Sequence, residues 1–299
     1  MLAPVTETTT RSARIRLRTA VPHRAPIGTV ALITRPNARD LTGGLNEALH
    51  RRLMEQDLAL QLHSIDNTTL DRQFGWADWR RAWNLEGALV YRQERIPDEW
   101  IQAAQAANTP AIWCNHQAHT DSVFYDENTA AVEATRLLVE LGHRHIAFAS
   151  THDESQFSNG HYAWRERLLG FRHVINESGC RGSVGLQTTP DDPRLIQMLK
   201  GAERATAFIT PHRDDALAIA YAAARLGLSI PRDLSLVTFD HDNVGFPGLS
   251  VTTMRIPLDY MGASAVDLLL RRIALGQAVP SVALGYDDPT GSSVAPPPQ

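Results

Sequence analysis

Near the end of the chain, SLVTFDHDNVGFPGLSVTTMRIP (Ser235 to Pro257) sets Asp240, His241 and Asp242 directly after an apolar run. Two carboxylates flanking an imidazole offer three kinds of chemistry. They can exchange protons, ligate a metal through oxygen and nitrogen, or hydrogen-bond a polar small molecule. A second polar run, CNHQAHTD, offers Cys114, His116, His119 and Asp121. Its spacing fits no standard zinc pattern and no second cluster completes it, so no metal is expected. The sequence has no G-x-x-x-x-G-K-[ST] loop, no G-x-G-x-x-G after the first strand, no G-x-S-x-G elbow and no H-E-x-x-H. Without a nucleophile motif no catalytic residue is expected, and no cofactor. A solvated turn and a ligand-holding loop remain as readings of Asp240–Asp242.

The elements around these residues alternate. GTVALIT (28–34), LALQLHSI (58–65), GALVY (87–91) and TPAIWCN (109–115) are apolar β-type runs. Between them lie helical patterns: Leu45, Leu49, Leu53 and Met54 at three-to-four spacing, Trp76, Trp79 and Trp83 on one face, and PDEWIQAAQAA opening on Pro97. SVFYDEN leads into a helix, TAAVEATRLLVELG, stopped by Gly142. The scheme then repeats with HIAFAS, AWRERLLGFRHVINESG, ATAFIT, DDALAIAYAAARLG and LSLVTF. Short apolar strands alternating with helices predict an α/β fold with parallel sheets, divided into two Rossmann-like lobes. Open parallel sheets bind ligands at the carboxyl ends of their strands. Asp126, His212 and Asp240 each follow a strand and would converge on one cleft if the lobes face each other.

A length of 299 residues favours two lobes over one small core. The net charge of −4 gives the chain as a whole no basic footprint for nucleic acid. The charge is unevenly spread: Arg11, Arg14, Arg16, Arg18 and Arg24 face the single acid Glu7 in a Thr- and Pro-rich start. Residues 1–26 read as an arm or linker and TGSSVAPPPQ (290–299) as a loose tail. No apolar run approaches the roughly 18–20 residues of a membrane span, and the first residues lack a secretory h-region. The expected compartment is the cytoplasm. Two cysteines, Cys114 and Cys180, make no disulfide framework.

Four passages resemble the effector-binding domain of LacI/GalR-type bacterial transcription regulators, which is similar to periplasmic sugar-binding proteins. They are VFYDENTAAVEATRLLVELGHRHIAFAS, RERLLGFRHVI, LGLSIPRDLSLVTFDHD and LSVTTMRIPLDYMGASAVDLLLRRIALGQ, in the family's order over about residues 27 to 287. The resemblance implies a periplasmic binding protein-like (type I) fold with three crossovers and an effector between the lobes. It places 27–142 plus 255–278 in the N-terminal lobe and 143–254 plus 279–289 in the C-terminal lobe, with crossings near Gly142, Val251–Arg255 and Val279. By position, Asp126, Arg167 and Asp240 match the family's effector contacts. Carboxylates accept bonds from sugar hydroxyls and the arginine fork donates to oxygens. The resemblance further implies a homodimer and DNA contact through an N-terminal domain not seen in this chain.

Departures from the family pattern accompany these matches. Pro211, His212 and Arg213 precede Asp214 and Asp215, where the family has Asn-Asp. RPNARD supplies Arg35, Asn37, Arg39 and Asp40 in place of Asp plus paired aromatics. Asn37, Arg39 and His212 therefore join the candidate ligand contacts. The added cations, Arg35, Arg39, His212 and Arg213, suit an acidic or phosphorylated sugar, or simply an unusual ligand. Residues 1–26 show no helix-turn-helix pattern. Two competing classes are a free-standing sugar-binding protein, told apart by what lies upstream of the chain, and an enzyme acting at Asp240 and Asp242, told apart by turnover of a candidate ligand.

Overall fold

Strands covered on both faces read as unbroken apolar runs, because neither face meets water. GALVY and AIWC are buried at every residue, and GTVALIT from Val30 on. The structure, a computed structural model, describes residues 28–35, 43–65, 75–92, 95–153, 155, 157, 160–201 and 203–298. Within these the chain runs β1 (Gly28–Thr34), α1 (Gly43–Met54), β2 (Leu58–Ser64), α2 (Trp76–Ala82), β3 (Gly87–Tyr91), α3 (Asp98–Ala106), β4 (Ala111–Cys114), β5 (Ser122–Tyr125) and α4 (Glu127–Glu140). It continues through β6 (His145–Ala149), α5 (Tyr162–Ser178), β7 (Arg181–Gly185), α6 (Pro193–Leu199), β8 (Ala207–Ile209), α7 (Arg213–Arg225) and β9 (Ser235–Asp240). Last come β10 (Val244–Phe246), β11 (Leu249–Arg255), α8 (Leu258–Leu275), β12 (Val282–Leu284) and β13 (Asp287–Thr290).

Two separate sheets result. The first has the order β12-β5-β4-β3-β1-β2 and is parallel throughout. The second has the order β10-β11-β9-β8-β6-β7, with β13 also paired to β11; only β10 and β13 run antiparallel. The α/β architecture with two parallel-dominated sheets is the one expected.

The first and third crossings fall at different places from those expected. Helix α4, which the resemblance implied for the first lobe up to Gly142, packs in the second. Its Ala130, Ala131, Ala134 and Leu138 share a core with Ile146, Phe148 and Phe171. The chain therefore leaves the first lobe between Tyr125 and Glu127. It returns over Ile256 and Pro257 into α8, whose Met261, Ala265 and Leu269 pack with Leu45, Leu49 and Leu53 of α1. The third crossing was expected near Val279. It comes instead after β12, because Val282–Leu284 pairs in parallel with Val123–Tyr125 of the first sheet. The end of the chain is not loose either. The Ser293 hydroxyl donates to Leu236 O, Leu236 N–H donates to Ser293 O at 2.9 Å, and the His143 ring lies 2.9 Å from Ala295 O. A helical or β-type pattern identifies an element but not its lobe, since both lobes offer the same kind of apolar surface.

Close helix contact explains one glycine in α5. A Cβ on Gly170 would lie 2.5 Å from Asn128 O and 2.8 Å from the Ala131 side chain of α4. Gly170→Ala is expected to destabilise the protein by about 1–3 kcal/mol, because this overpacking exceeds the helix propensity gained. Equilibrium denaturation measures it; unchanged stability would mean that α4 and α5 are not held this closely.

Candidate ligand-binding site

The carboxyl ends of strands from both sheets border one cavity of about 190 Å³. Tyr91, Asn115 and Tyr125 line it from the first lobe; Glu127, His161, Trp164, Arg167, His212, Arg213, Phe239, Asp240 and His241 line it from the second. Ile256 and Leu258 complete it at the second crossing.

Arg167 lies on α5 and is 6% exposed. Its Nε donates to Glu127 Oε2 at 2.7 Å and its Nη2 to Tyr286 Oη at 2.9 Å, while Nη1 donates to Pro211 O. The Tyr286 hydroxyl donates in turn to Glu127 Oε2 at 2.5 Å. The guanidinium also sits 4.6 Å from the centre of the Phe239 ring. Burial opposes its charge, but Glu127 and Tyr286 outweigh that cost and hold its pKa above the ordinary arginine range. Burial keeps the Tyr286 phenol protonated. In such buried pairs the loss of one partner costs about 3–5 kcal/mol, because a charge stays behind without solvent.

Asp240 ends β9 and is 4% exposed. One oxygen accepts Asp242 N–H at 3.0 Å, and Arg213 Nη1 and His241 Nδ1 lie 3.7 and 3.3 Å from it. His212 caps α7, its Nδ1 accepting Asp214 N–H at 3.2 Å, and burial lowers its pKa. The Tyr125 hydroxyl is buried and has no hydrogen-bond partner among the described residues. Trp164 supplies an aromatic wall, stacked 4.4 Å from His152.

The first turn of α5 ties the two lobes together beside the cavity. His161 Nε2 donates to Asn115 O at 2.7 Å across the cleft, and its Nδ1 accepts Ala163 N–H at 3.3 Å. Both nitrogens are used by the neutral ring, and burial lowers its pKa to about 4. Tyr125 N–H donates to Tyr162 Oη at 2.9 Å, a second bond across the lobes.

Of the residues singled out in the sequence, the structure brings Arg167, His212 and Asp240 to one cavity. Asp126 does not reach it. Its carboxylate caps α4, accepting Thr129 N–H at 3.1 Å and the Thr129 hydroxyl at 2.8 Å, and the next residue, Glu127, faces the cavity instead. Asn37 and Arg39 lie outside the described residues. Tyr125, Glu127, His161, Trp164 and Tyr286 escaped the sequence reading, although YDEN and HYAW stood beside the motifs that were read. In the CNHQAHTD run Asn115 reaches the cavity, while burial pushes the Cys114 thiol up to about 12 and Asp121 accepts Val279 N–H at 2.9 Å. Trp76 lies in the core beside Trp100 and Trp113. Asp240, His241 and Asp242 place their polar atoms within 4.8 Å of one another, a grouping that exposed acids often make without a metal.

Comparison with known proteins bears on the family and the fold. Residues 135–291, just over half of the chain, match the family described as periplasmic binding protein-like domain. The chain belongs to that family, and its relatives are LacI-type transcriptional regulators. It is 24% identical over 193 residues to the catabolite control protein A of Priestia megaterium, covering 61% of this chain and 57% of that protein. The chain thus spans little more than half the length of that relative. It superposes on a dimeric Lac repressor with a TM-score of 0.72 at 18% identity, covering 90% of this chain and 99% of the other. A LacI family regulator from Enterococcus faecium with bound ribose gives 0.66 at 18% identity, with 90% and 99% covered.

A pH dependence follows from His161. Its folded pKa lies below the ordinary value, so the unfolded chain binds the proton more readily and stability falls as pH drops from about 6.5 toward 4. Between pH 7 and pH 5 this one residue should cost about 2 kcal/mol. Urea titrations at both pH values should show His161→Gln losing less stability than the unaltered protein. An equal loss in the two proteins would show that the ring is not held neutral.

Proposed function

We propose that this chain is the effector-binding and dimerisation region of a LacI/GalR-type transcriptional regulator, taking a small sugar or sugar derivative between its lobes. The observation that carries the reading is the cavity where the strand ends of both sheets meet the crossings. Asp240 there offers a buried acceptor, Tyr125 an uncommitted hydroxyl, and Trp164 an aromatic wall. Hydroxyl-rich ligands need both donors and acceptors in a dry site. The ribose bound in the Enterococcus faecium regulator supports a ligand of this kind. An effector that binds one arrangement of the lobes better than another shifts their equilibrium, and a DNA-binding domain ahead of this chain would read that shift. The protein works in the cytoplasm in this reading; among the described residues no helix is long and apolar enough to cross a membrane.

Thermal unfolding against neutral, acidic and phosphorylated sugars tests this. A ligand at 100 times its Kd adds about 2.7 kcal/mol. Asp240→Asn should abolish the shift, and the ligand should be recovered chemically unchanged. Turnover would sink the sensor reading in favour of an enzyme, and silence across the panel would remove sugars as the ligand class.

The dimer forms, we propose, on the first lobe. Edge strand β2 carries Leu62, 56% exposed, near α1 with Met54, 63% exposed. Trp83, 53% exposed, stacks edge-on against His63 of the same strand. Trp76, on the helix that leads to Trp83, turns inward instead and is buried in the core. Leu62→Glu should convert a dimer to monomer in sedimentation analysis; an unchanged mass would place the dimer elsewhere.

A further inference from the structure

The cleft is matched charge for charge. Arg167 is paired with Glu127. Arg213 lies 3.7 Å from Asp240 and 4.0 Å from Asp242. Of the three imidazoles that line the cavity, His161 and His212 are held toward the neutral form by burial, and His241 lies 3.3 Å from Asp240 and 3.4 Å from Asp242. A phosphate or carboxylate entering this space meets no uncompensated cation among the described residues that line it.

The geometry at Arg167 is more specific than charge balance. An oxyanion binds a guanidinium best along one edge of the planar fork, through two parallel N–H bonds. The Nε–Nη2 edge is taken by Glu127 Oε2 at 2.7 Å and Tyr286 Oη at 2.9 Å, and Nη1 is turned to Pro211 O. The carboxylate is itself fixed by the phenol at 2.5 Å. Glu127 stands where an anionic ligand would stand.

We propose that Glu127 sets the charge of the ligand. As an internal counter-ion it fills the anion position on Arg167 and restricts the cleft to uncharged polyhydroxyl compounds. The inference rests on reading the cavity as the effector site and reverses the expectation of an acidic or phosphorylated sugar. The cations behind that expectation do not serve it: Arg35 does not line the cavity, Arg39 lies outside the described residues, and Arg213 is matched by two acids. A further negative group beside Glu127 and Asp240 would be repelled in a space with little water to screen it.

Glu127→Gln removes the charge and keeps the shape. Thermal unfolding in inorganic phosphate, against chloride at matched ionic strength, reads the result. The unaltered protein should show no saturable phosphate shift. The variant should bind phosphate about tenfold tighter or more, the scale expected when a like charge leaves a dry site. Adding Arg167→Gln should abolish that gain. A saturable shift in the unaltered protein that Arg167→Gln removes would overturn the proposal, as would a folded Glu127→Gln protein blind to phosphate. If Glu127→Gln does not fold, the unaltered protein and Arg167→Gln decide between the two outcomes. Glucose against glucose 6-phosphate gives a separate reading: failure of both sugars counts against the sensor reading alone, whereas preference for the phosphate ester counts against Glu127 as selector.

Discussion

A buried guanidinium must be neutralised where it lies, and this requirement organises the centre of the molecule. Arg167 lies within bonding distance of a side chain from the first crossing, Glu127, and one from the third, Tyr286. The crossings are also joined through the backbone, with Asp126 N–H donating to Leu284 O at 2.8 Å. Residues from different parts of the chain therefore share one buried electrostatic network. Tyr125 and Phe239 pack edge-on around the Tyr286 ring, which excludes water from the network.

The lobes exchange helices at two of their crossings. Helix α4 follows a strand of the first sheet but packs on α5 of the second lobe, and α8 follows β11 of the second sheet but packs on α1 of the first. Each helix pair closes over a glycine. Gly170 leaves room for Asn128 O, and a Cβ at Gly262 would lie 2.8 Å from Ala48 Cβ. The exchange puts the N-terminus of α4 at the cleft, with Asp126 as its cap and Glu127 as its first helical residue. Cap and counter-ion are thus adjacent in sequence but separate in role.

How far the sequence could be read depends on the range of the interaction. Apolar runs and stop signals such as Gly179, which adopts φ 65 at the end of α5, act locally, and they placed the strands and helices well. Asp240 was legible because a polar residue directly after a buried parallel strand sits at a sheet edge whatever the rest of the chain does. Asp126 satisfied the same rule, yet a helix beginning there claimed its carboxylate for two donors of its first turn, the Thr129 N–H and hydroxyl. The end of the chain looked unstructured by composition, but Ser293 and Ala295 find partners on Leu236 and His143 that no local pattern announces.

The sequence by itself determined most of the elements, though not β7, α6, β12 or β13, together with the α/β class and the strand ends at which polar side chains gather. These follow from periodicity and capping, which involve neighbours a few residues apart. Only the tertiary structure decided which lobe owns α4, where the third crossing falls, and that Arg167 is already held by Glu127 and Tyr286. Those contacts span separations of 40 and 119 residues. Their energies depend on burial and on distances that exist only once both lobes are assembled.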